Sequence, residues 1–183
     1  MQDLSLHILD IVENSIDAGA KKIEIIIKEN IKQNMLVLKI KDNGKGMDKN
    51  TVAKVLDPFY TTKKTRRIGL GLSMLAQATK EAEGDFNIKS KKGKGTTVTA
   101  KFVYDHIDRK PIGNMAETII ALIAGKGMNV DFIYKHHKNS KSFVLDTKIL
   151  KKELNGVPIN NAEVLNILRE NIIKELKRIG AIT

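Results

Sequence analysis

The stretch HILDIVENSIDAGA, residues 7–20, carries the clearest periodic pattern of the chain. It predicts a helix over residues 4–18 that ends at Gly19. At about 100° per residue, its polar side chains fall within roughly one third of the helix circumference. The residues of this polar stripe are Asp3, His7, Asp10, Glu13, Asn14 and Asp17. Because the remaining face is too broadly apolar for a surface helix, we expect the stripe to face a cavity.

Length and composition narrow the class of protein. A chain of 183 residues is long enough for one domain with a proper core, with or without a small appendage. The absence of cysteine excludes disulfides and thiolate metal sites. No apolar run approaches the roughly 20 residues of a membrane span, and no signal-peptide pattern opens the chain. We therefore expect a cytoplasmic protein with no membrane association.

The net charge of +11 comes mostly from lysines spread along the sequence. Such a charge favours anionic ligands and suits nucleotide phosphates. Tryptophan is absent and Phe and Tyr are few, so the chain has little material for stacking on bases. Nucleic acid is therefore a disfavoured partner.

The hydrophobic pattern gives an order of elements after the first helix. It predicts strands at 21–30 and 34–43, a short helix at 50–56, a loop at 57–67, a helix ending at Gly84 and a hairpin at 85–104. This order indicates an α+β two-layer sandwich, with a mixed but mostly antiparallel sheet and helices on one face.

Pro111 and Gly113 mark a boundary, so we expect one domain at 1–104 and a small α+β extension of unknown role at 105–183. The extension is predicted to hold a helix at 114–124, a hairpin at 130–135 and 142–146, and a long final helix. That helix has Asn160 as its expected cap, Glu163 three residues later, and a stop at Gly180. Its apolar stripe suits packing on its own domain, a homodimer or another partner.

The polar stripe makes sense if it faces a magnesium nucleotide. Amide and carboxylate oxygens are hard ligands suited to Mg²⁺, which also takes phosphate oxygens and waters. Asn14 would supply a direct metal ligand. Asp10, one turn earlier on the same side, is placed to orient an attacking water.

The segment KIKDNGKGMD, residues 39–48, supplies a base-binding pattern. A strand delivers Asp42 to its end, and Gly44 and Gly46 let the backbone approach a flat ligand. A carboxylate there accepts a hydrogen bond from the exocyclic amine of adenine and repels the oxygen that guanine has at that position. Met47 can pack on the ring.

The segment TTKKTRRIGLGLS, residues 61–73, supplies a phosphate-binding pattern. Gly69 and Gly71 precede a helix whose free N–H groups and positive dipole end favour phosphates. The four cations just upstream are Lys63, Lys64, Arg66 and Arg67. We expect the lid, residues 57–68, to become ordered when a triphosphate binds, and the segment Gly95-Thr96-Thr97, at the start of the last strand, to supply a hydroxyl near the base. No P-loop or dinucleotide-binding motif is present.

Four motifs in this order resemble the GHKL superfamily, which includes DNA gyrase B subunits, heat-shock chaperones, histidine kinases and MutL mismatch-repair proteins. VENSIDAGA is similar to the MutL-type N-box, and DPFYTTKKTRRIGLGLSML to the lid and glycine box of histidine kinases. The resemblance covers residues 3 to about 103. It implies the Bergerat fold, with ATP and Mg²⁺ held between the helices and the lid.

The resemblance also implies roles for individual residues. Asn14 takes the magnesium role, Asp42 the adenine role and Asp10 the catalytic role. The nucleotide-binding residues that it implies are Asn14, Asp17, Asp42, Gly44, Gly46, Met47, Lys63, Arg67, Gly69, Leu70, Gly71, Leu72 and Thr96.

Two departures from the family pattern matter. The position of Asp10 is usually Glu in the hydrolysing branches and commonly Asn in histidine kinases, and a misplacement of about 1 Å can lower a rate roughly a hundredfold. Only six residues precede His7, where histidine kinases carry a helical hairpin with the phosphoacceptor histidine. We therefore expect His7 to be a neighbour of the site, and the chain resembles small stand-alone histidine-kinase-like ATP-binding proteins of bacteria.

The sequence leaves three functions open. The first is an ATP-binding protein that hydrolyses Mg-ATP slowly or transfers its γ-phosphate to a separate protein. The second is a non-catalytic module whose lid orders on ATP and exposes a surface to a partner. The third and weakest, by fold analogy alone, is a MutL-like ATPase linked to nucleic acid.

Overall fold

The structure is a computed structural model that describes residues 2–55 and 70–182. Its helices are α1 (Leu4–Asp17), α2 (Lys49–Lys54), α3 (Leu70–Glu81), α4 (Met115–Lys126), α5 (Thr147–Glu153) and α6 (Ala162–Ile179). Its strands are β1 (Lys22–Asn30), β2 (Met35–Asp42), β3 (Asp85–Lys91), β4 (Gly95–Val103), β5 (Asp131–Lys138) and β6 (Lys141–Asp146).

The strands alternate between a buried and an accessible face, as strand geometry requires. In β1 the buried apolar side chains are those of Ile23, Ile25 and Ile27, and in β2 those of Leu36, Leu38 and Ile40. The buried face lies under the helices, so the core fills the space between the two layers.

The six strands form one sheet in the order β3-β4-β2-β1-β5-β6. All neighbours are antiparallel except β1 and β5, which pair in parallel with Ile25 opposite Tyr134. This arrangement confirms the predicted α+β fold with a mixed, mostly antiparallel sheet. Strands from residues 105–183 continue the sheet of residues 1–104, and the division of the chain at residue 104 stays a prediction.

The helices pack in a layer over the buried face. Helix α1 contacts β2 and α3, while α6 lies on β5, β6 and α4. The first turn of α1 is fixed by the segment before α4, because the N–H groups of Leu4 and Ser5 each donate at 2.9 Å to the carbonyls of Pro111 and Ile112. No described helix is long and apolar enough to cross a membrane.

The start of α6 differs from the prediction. Its cap is Asn161, whose Oδ1 accepts from the N–H groups of Glu163 at 2.9 Å and Val164 at 3.4 Å. The predicted cap at Asn160 is therefore wrong. A turn closed by the hydrogen bond from Asn161 N to Pro158 O sets the helix start one residue later.

The apolar stripe of α6 packs on the molecule's own core, and its fully enclosed members are Leu168, Ile172, Leu176 and Ile179. Helix α5 was not predicted. It follows β6 directly, and the Asp146 side chain caps it by accepting from Lys148 N at 2.9 Å. Only seven residues long and rich in lysine, it gives too short a pattern to recognise.

Candidate nucleotide site

The carboxylate of Asp42 is buried at the end of β2, on the helix-facing side of the sheet. Its Oδ1 accepts from the N–H of Gly44 at 2.8 Å and the N–H of Thr96 at 3.2 Å. Its Oδ2 accepts from the Ser15 hydroxyl of α1 at 3.0 Å. A carboxylate has about four acceptor positions, so one position on Oδ2 remains for a further donor.

Two glycines with positive φ let the loops beside Asp42 approach each other. A Cβ on Gly46 (φ +64°) would overlap the carbonyl of Lys91, and a Cβ on Gly95 (φ +84°) would overlap the carbonyl of Asp42. Other residues rarely adopt this conformation, and here they would also clash. The hydrogen bond from Gly93 N to Lys45 O, 2.6 Å long, ties the two loops together.

Ser90 of β3 joins Met47 to Thr96. Its hydroxyl oxygen accepts from the N–H of Met47 at 2.8 Å and lies 2.9 Å from the Thr96 hydroxyl. The side chains of Met47 and Thr96 are half-buried. Gly44, Met47 and Thr96 are thus brought together around Asp42, and with Ser15 and Ser90 these residues are named the Asp42 group.

Sequence reasoning missed two residues of this group, Ser15 and Ser90. A hydroxyl at Ser15 interrupts the apolar side of α1, and it sits beside the predicted metal ligand. That interruption was a usable signal. Ser90 lies in an ordinary alternating strand pattern, so the sequence contains no signal that marks it.

Asp10 and Asn14 lie one turn apart on α1, and both are half-buried. The Nδ2 of Asn14 donates to the Oδ2 of Asp10 at 3.4 Å, so the Oδ1 of Asn14 is the amide atom available to a metal. Glu13 and Asp17 are exposed. The stripe predicted to face a cavity is therefore enclosed only in part.

Helix α3 approaches Asp10 at its first turn. A Cβ built on Gly71 would overlap the Asp10 carboxylate, so a larger residue here would force that carboxylate to move. A carboxylate beside the first turn of a helix is stabilised by the helix dipole. Leu72 is half-buried and packs on the core.

Part of the predicted phosphate site lies outside the described residues. This part comprises Lys63, Arg67, Gly69 and the lid at residues 57–68. Leu70 is the first residue of α3. Within residues 2–55 and 70–182, no group of three or more His, Asp or Glu side chains is arranged to hold a metal ion.

His7 faces a different space from the Asp42 group. Its ring is buried, and its Nδ1 has no hydrogen-bond partner among the described residues. Burial lowers the pKa of His7 to about 4. It borders a cavity of about 300 Å³ between α1 and α3, together with Met74, Gln77, Ala78, Glu81 and Lys110.

Several curated proteins are similar to the first half of the chain. A protein of Shewanella frigidimarina (strain NCIMB 400) is 36% identical over 103 residues, which are 55% of this chain and 16% of that protein. Sensor protein kinase WalK of Staphylococcus haemolyticus (strain JCSC1435) is 33% identical over 95 residues, 49% of this chain and 16% of the kinase. The chain thus spans about one sixth of the length of these relatives.

Among solved structures, the N-terminal domain of a DNA repair protein superposes with a TM-score of 0.57. The two chains are 18% identical, and the match covers 80% of this chain and 53% of that one. At this low identity, the superposition shows a shared fold alone.

The family comparison covers more than half of the chain. The profile of the histidine kinase-, DNA gyrase B- and HSP90-like ATPases matches residues 2–106. This range includes the polar stripe of α1, the Asp42 group and the start of α3. The predicted relationship is confirmed, and the chain belongs to the family of histidine kinase-, DNA gyrase B- and HSP90-like ATPases.

Proposed function

We propose that the protein binds Mg-ATP, with adenine on the Asp42 group. The observation that carries this proposal is the buried Asp42 carboxylate, which accepts three hydrogen bonds and keeps one acceptor position on Oδ2. The exocyclic amine of adenine would fill that position. Guanine, with an oxygen there, would face the carboxylate with a lone pair and be rejected.

Asn14 would hold the magnesium ion through Oδ1, the amide atom that does not contact Asp10. The described residues offer no carboxylate cluster for a metal, which suits an ion that takes most of its ligands from phosphates and water. When bound, the ion would neutralise phosphate charge.

Asp10 is the proposed catalytic group. Its carboxylate lies at the first turn of α3, between Asn14 and Gly71, where it could orient a water or accept a proton from an acceptor hydroxyl. The side chain is one methylene shorter than the Glu of the hydrolysing branches. We therefore propose slow hydrolysis, or transfer of the γ-phosphate to a separate protein.

Calorimetric titration tests the binding step. With Mg²⁺ present, we expect ATP to bind and GTP to bind at least tenfold more weakly. Equal affinities for the two nucleotides would contradict the assignment of Asp42 to adenine.

A γ-³²P assay with and without candidate partner proteins then separates the reactions. Release of free phosphate identifies an ATPase, and label on a protein identifies a kinase. The absence of both, with binding retained, would favour the ATP-gated interaction module.

A further inference from the structure

The sheet has a second face, turned away from the helices, which we name the open sheet face. The strand registers place its side chains in three rows that cross all six strands. The first row is Lys89, Thr97, Lys41, Glu24, Ile133 and Asp146; the second is Asn87, Thr99, Lys39, Ile26, Lys135 and Val144; the third is Asp85, Lys101, Val37, Lys28, His137 and Ser142. None of these eighteen side chains is buried by the described parts of the chain.

The open sheet face has a strong excess of positive charge. It carries six lysines against three carboxylates. Two carboxylates are already paired on this face, Glu24 with Lys135 at 2.6 Å and Asp85 with Lys101 at 3.8 Å. The third, Asp146, caps α5. The lysines of this face that form no ion pair within 4 Å of a described carboxylate are Lys28, Lys39, Lys41 and Lys89.

Apolar side chains cross the middle of this basic surface. Val37, Ile26 and Ile133 are diagonal neighbours on β2, β1 and β5, and Val144 on β6, with 52% of its surface exposed, is a diagonal neighbour of Ile133 in the same row as Ile26. An apolar centre with a charged rim is the usual anatomy of a protein–protein interface.

We propose that the open sheet face docks a partner protein whose surface presents an apolar patch surrounded by carboxylates. Three rows about 7 Å apart on six strands about 4.8 Å apart cover roughly 500–600 Å². This area approaches the roughly 800 Å² that each side contributes to a standard interface.

The composition of the face argues against other occupants. A second copy of this chain would oppose lysines with lysines. A nucleic acid would leave the apolar line without a matching surface, and the eighteen positions include no Phe, Tyr or Trp for stacking and no arginine.

The docking surface and the candidate nucleotide site share strands but face opposite ways. Asp42 on β2 and Thr96 on β4 point to the helix layer, whereas Lys39, Lys41, Thr97 and Thr99 point away from it. A partner can therefore bind while the nucleotide site is occupied or empty, so the docking proposal does not depend on ATP binding.

Two acidic probes and one oligonucleotide test the proposal on the full chain. The probes are a 20-residue poly-L-glutamate, the same peptide with every third Glu replaced by Leu, and a 20-nucleotide oligo-dT. We expect the Leu-containing peptide to bind tightest in fluorescence anisotropy. In NMR spectra it should shift the amide signals of β1, β2 and β5 more than those of α6.

Charge-reversal variants locate the contact. The double variant Lys28→Glu/Lys39→Glu should lower the affinity for the Leu-containing peptide at least tenfold. The milder Lys28→Gln/Lys39→Gln should lower it at least threefold. Lys174→Glu/Lys177→Glu, the same charge change on exposed positions of α6, should leave affinity within twofold. Asp42→Asn should also leave it unchanged, which separates this test from that of ATP binding.

Three results would each overturn the proposal. The first is an equal loss of affinity for the Leu-containing peptide in the sheet variants and the α6 variant. The second is a set of amide shifts spread evenly over the molecule. The third is tighter binding of oligo-dT than of the Leu-containing peptide at this face.

Discussion

At the scale of single residues, Asp42→Asn removes one acceptor while keeping the shape of the side chain. Asparagine can still accept from Gly44 N and Thr96 N through Oδ1, and the Ser15 hydroxyl can turn to accept from Nδ2. The new NH₂ group would oppose the amine of adenine. We expect ATP affinity to fall at least a hundredfold in calorimetry, with a circular-dichroism melting temperature within about 3 °C of wild type. Unchanged affinity would remove Asp42 from the site.

Gly71→Ala separates catalysis from stability. The added Cβ would displace the Asp10 carboxylate, so we expect phosphate release or transfer to fall at least tenfold. Helix propensity alone favours Ala over Gly by about 1 kcal/mol, so unfolding should show little loss of stability. Gly125→Ala in α4 is the matched control, because its Cβ would meet no atom within 4 Å. If Gly71→Ala and Gly125→Ala turn over ATP at the same rate, Asp10 has no catalytic position.

Because His7 is buried, we expect the free energy of unfolding to depend on pH. Burial lowers its pKa from 6.5 to about 4 in the folded state. As pH falls, the unfolded chain therefore binds the proton first. The contribution that neutral His7 makes to the free energy of unfolding is fully present above pH 6.5 and is lost between pH 6.5 and 4. By pH 4.5 the loss should reach about 2–3 kcal/mol. Urea unfolding of wild type and His7→Gln measures it as the difference between their pH slopes, and parallel slopes would contradict the low pKa.

At the scale of elements, the cap of α6 gives a test with a built-in control. Asn161→Ala removes the acceptor of the Glu163 and Val164 N–H groups, which should cost about 1 kcal/mol of unfolding free energy. Asn160→Ala, at the neighbouring position, should change that free energy by less than about 0.5 kcal/mol. Urea unfolding of the two variants compares them. A larger loss of unfolding free energy in Asn160→Ala than in Asn161→Ala would instead identify Asn160 as the cap.

The elements also show where sequence reasoning succeeds. Helix α1 and the hairpin of β1 and β2 were predictable, because their hydrophobic periods of 3.6 and 2 extend over eight or more residues. The position of Asp42 at the end of β2 was predictable because a carboxylate at a strand end followed by glycines is a local signal. Its contacts with Ser15 and Thr96 were not found, since they join residues 27 and 54 positions apart.

At the scale of the whole molecule, a buried polar network joins residues 1–104 to residues 105–183. His136 Nε2 lies 2.8 Å from Glu29 Oε1, and its Nδ1 lies 2.7 Å from the Tyr134 hydroxyl. Burial alone would raise the pKa of Glu29, but its hydrogen bond with His136 and the charges of His136 and Lys138 hold that pKa below its ordinary value. Removing one partner from such a pair leaves an uncompensated buried charge, which is strongly destabilising.

This network and the parallel pairing of β1 with β5 predict that residues 1–104 do not fold alone. A chain cut after Tyr104 would expose the edge of β1, leave Glu29 without His136, and free the first turn of α1 from the carbonyls of Pro111 and Ile112. We expect the 1–104 fragment to show no cooperative melting transition by circular dichroism. Adding the 105–183 fragment in trans should restore at least part of the transition, because it returns β5 to the edge of β1. A cooperative transition of the isolated fragment near the full-length temperature would instead establish residue 104 as a true domain boundary.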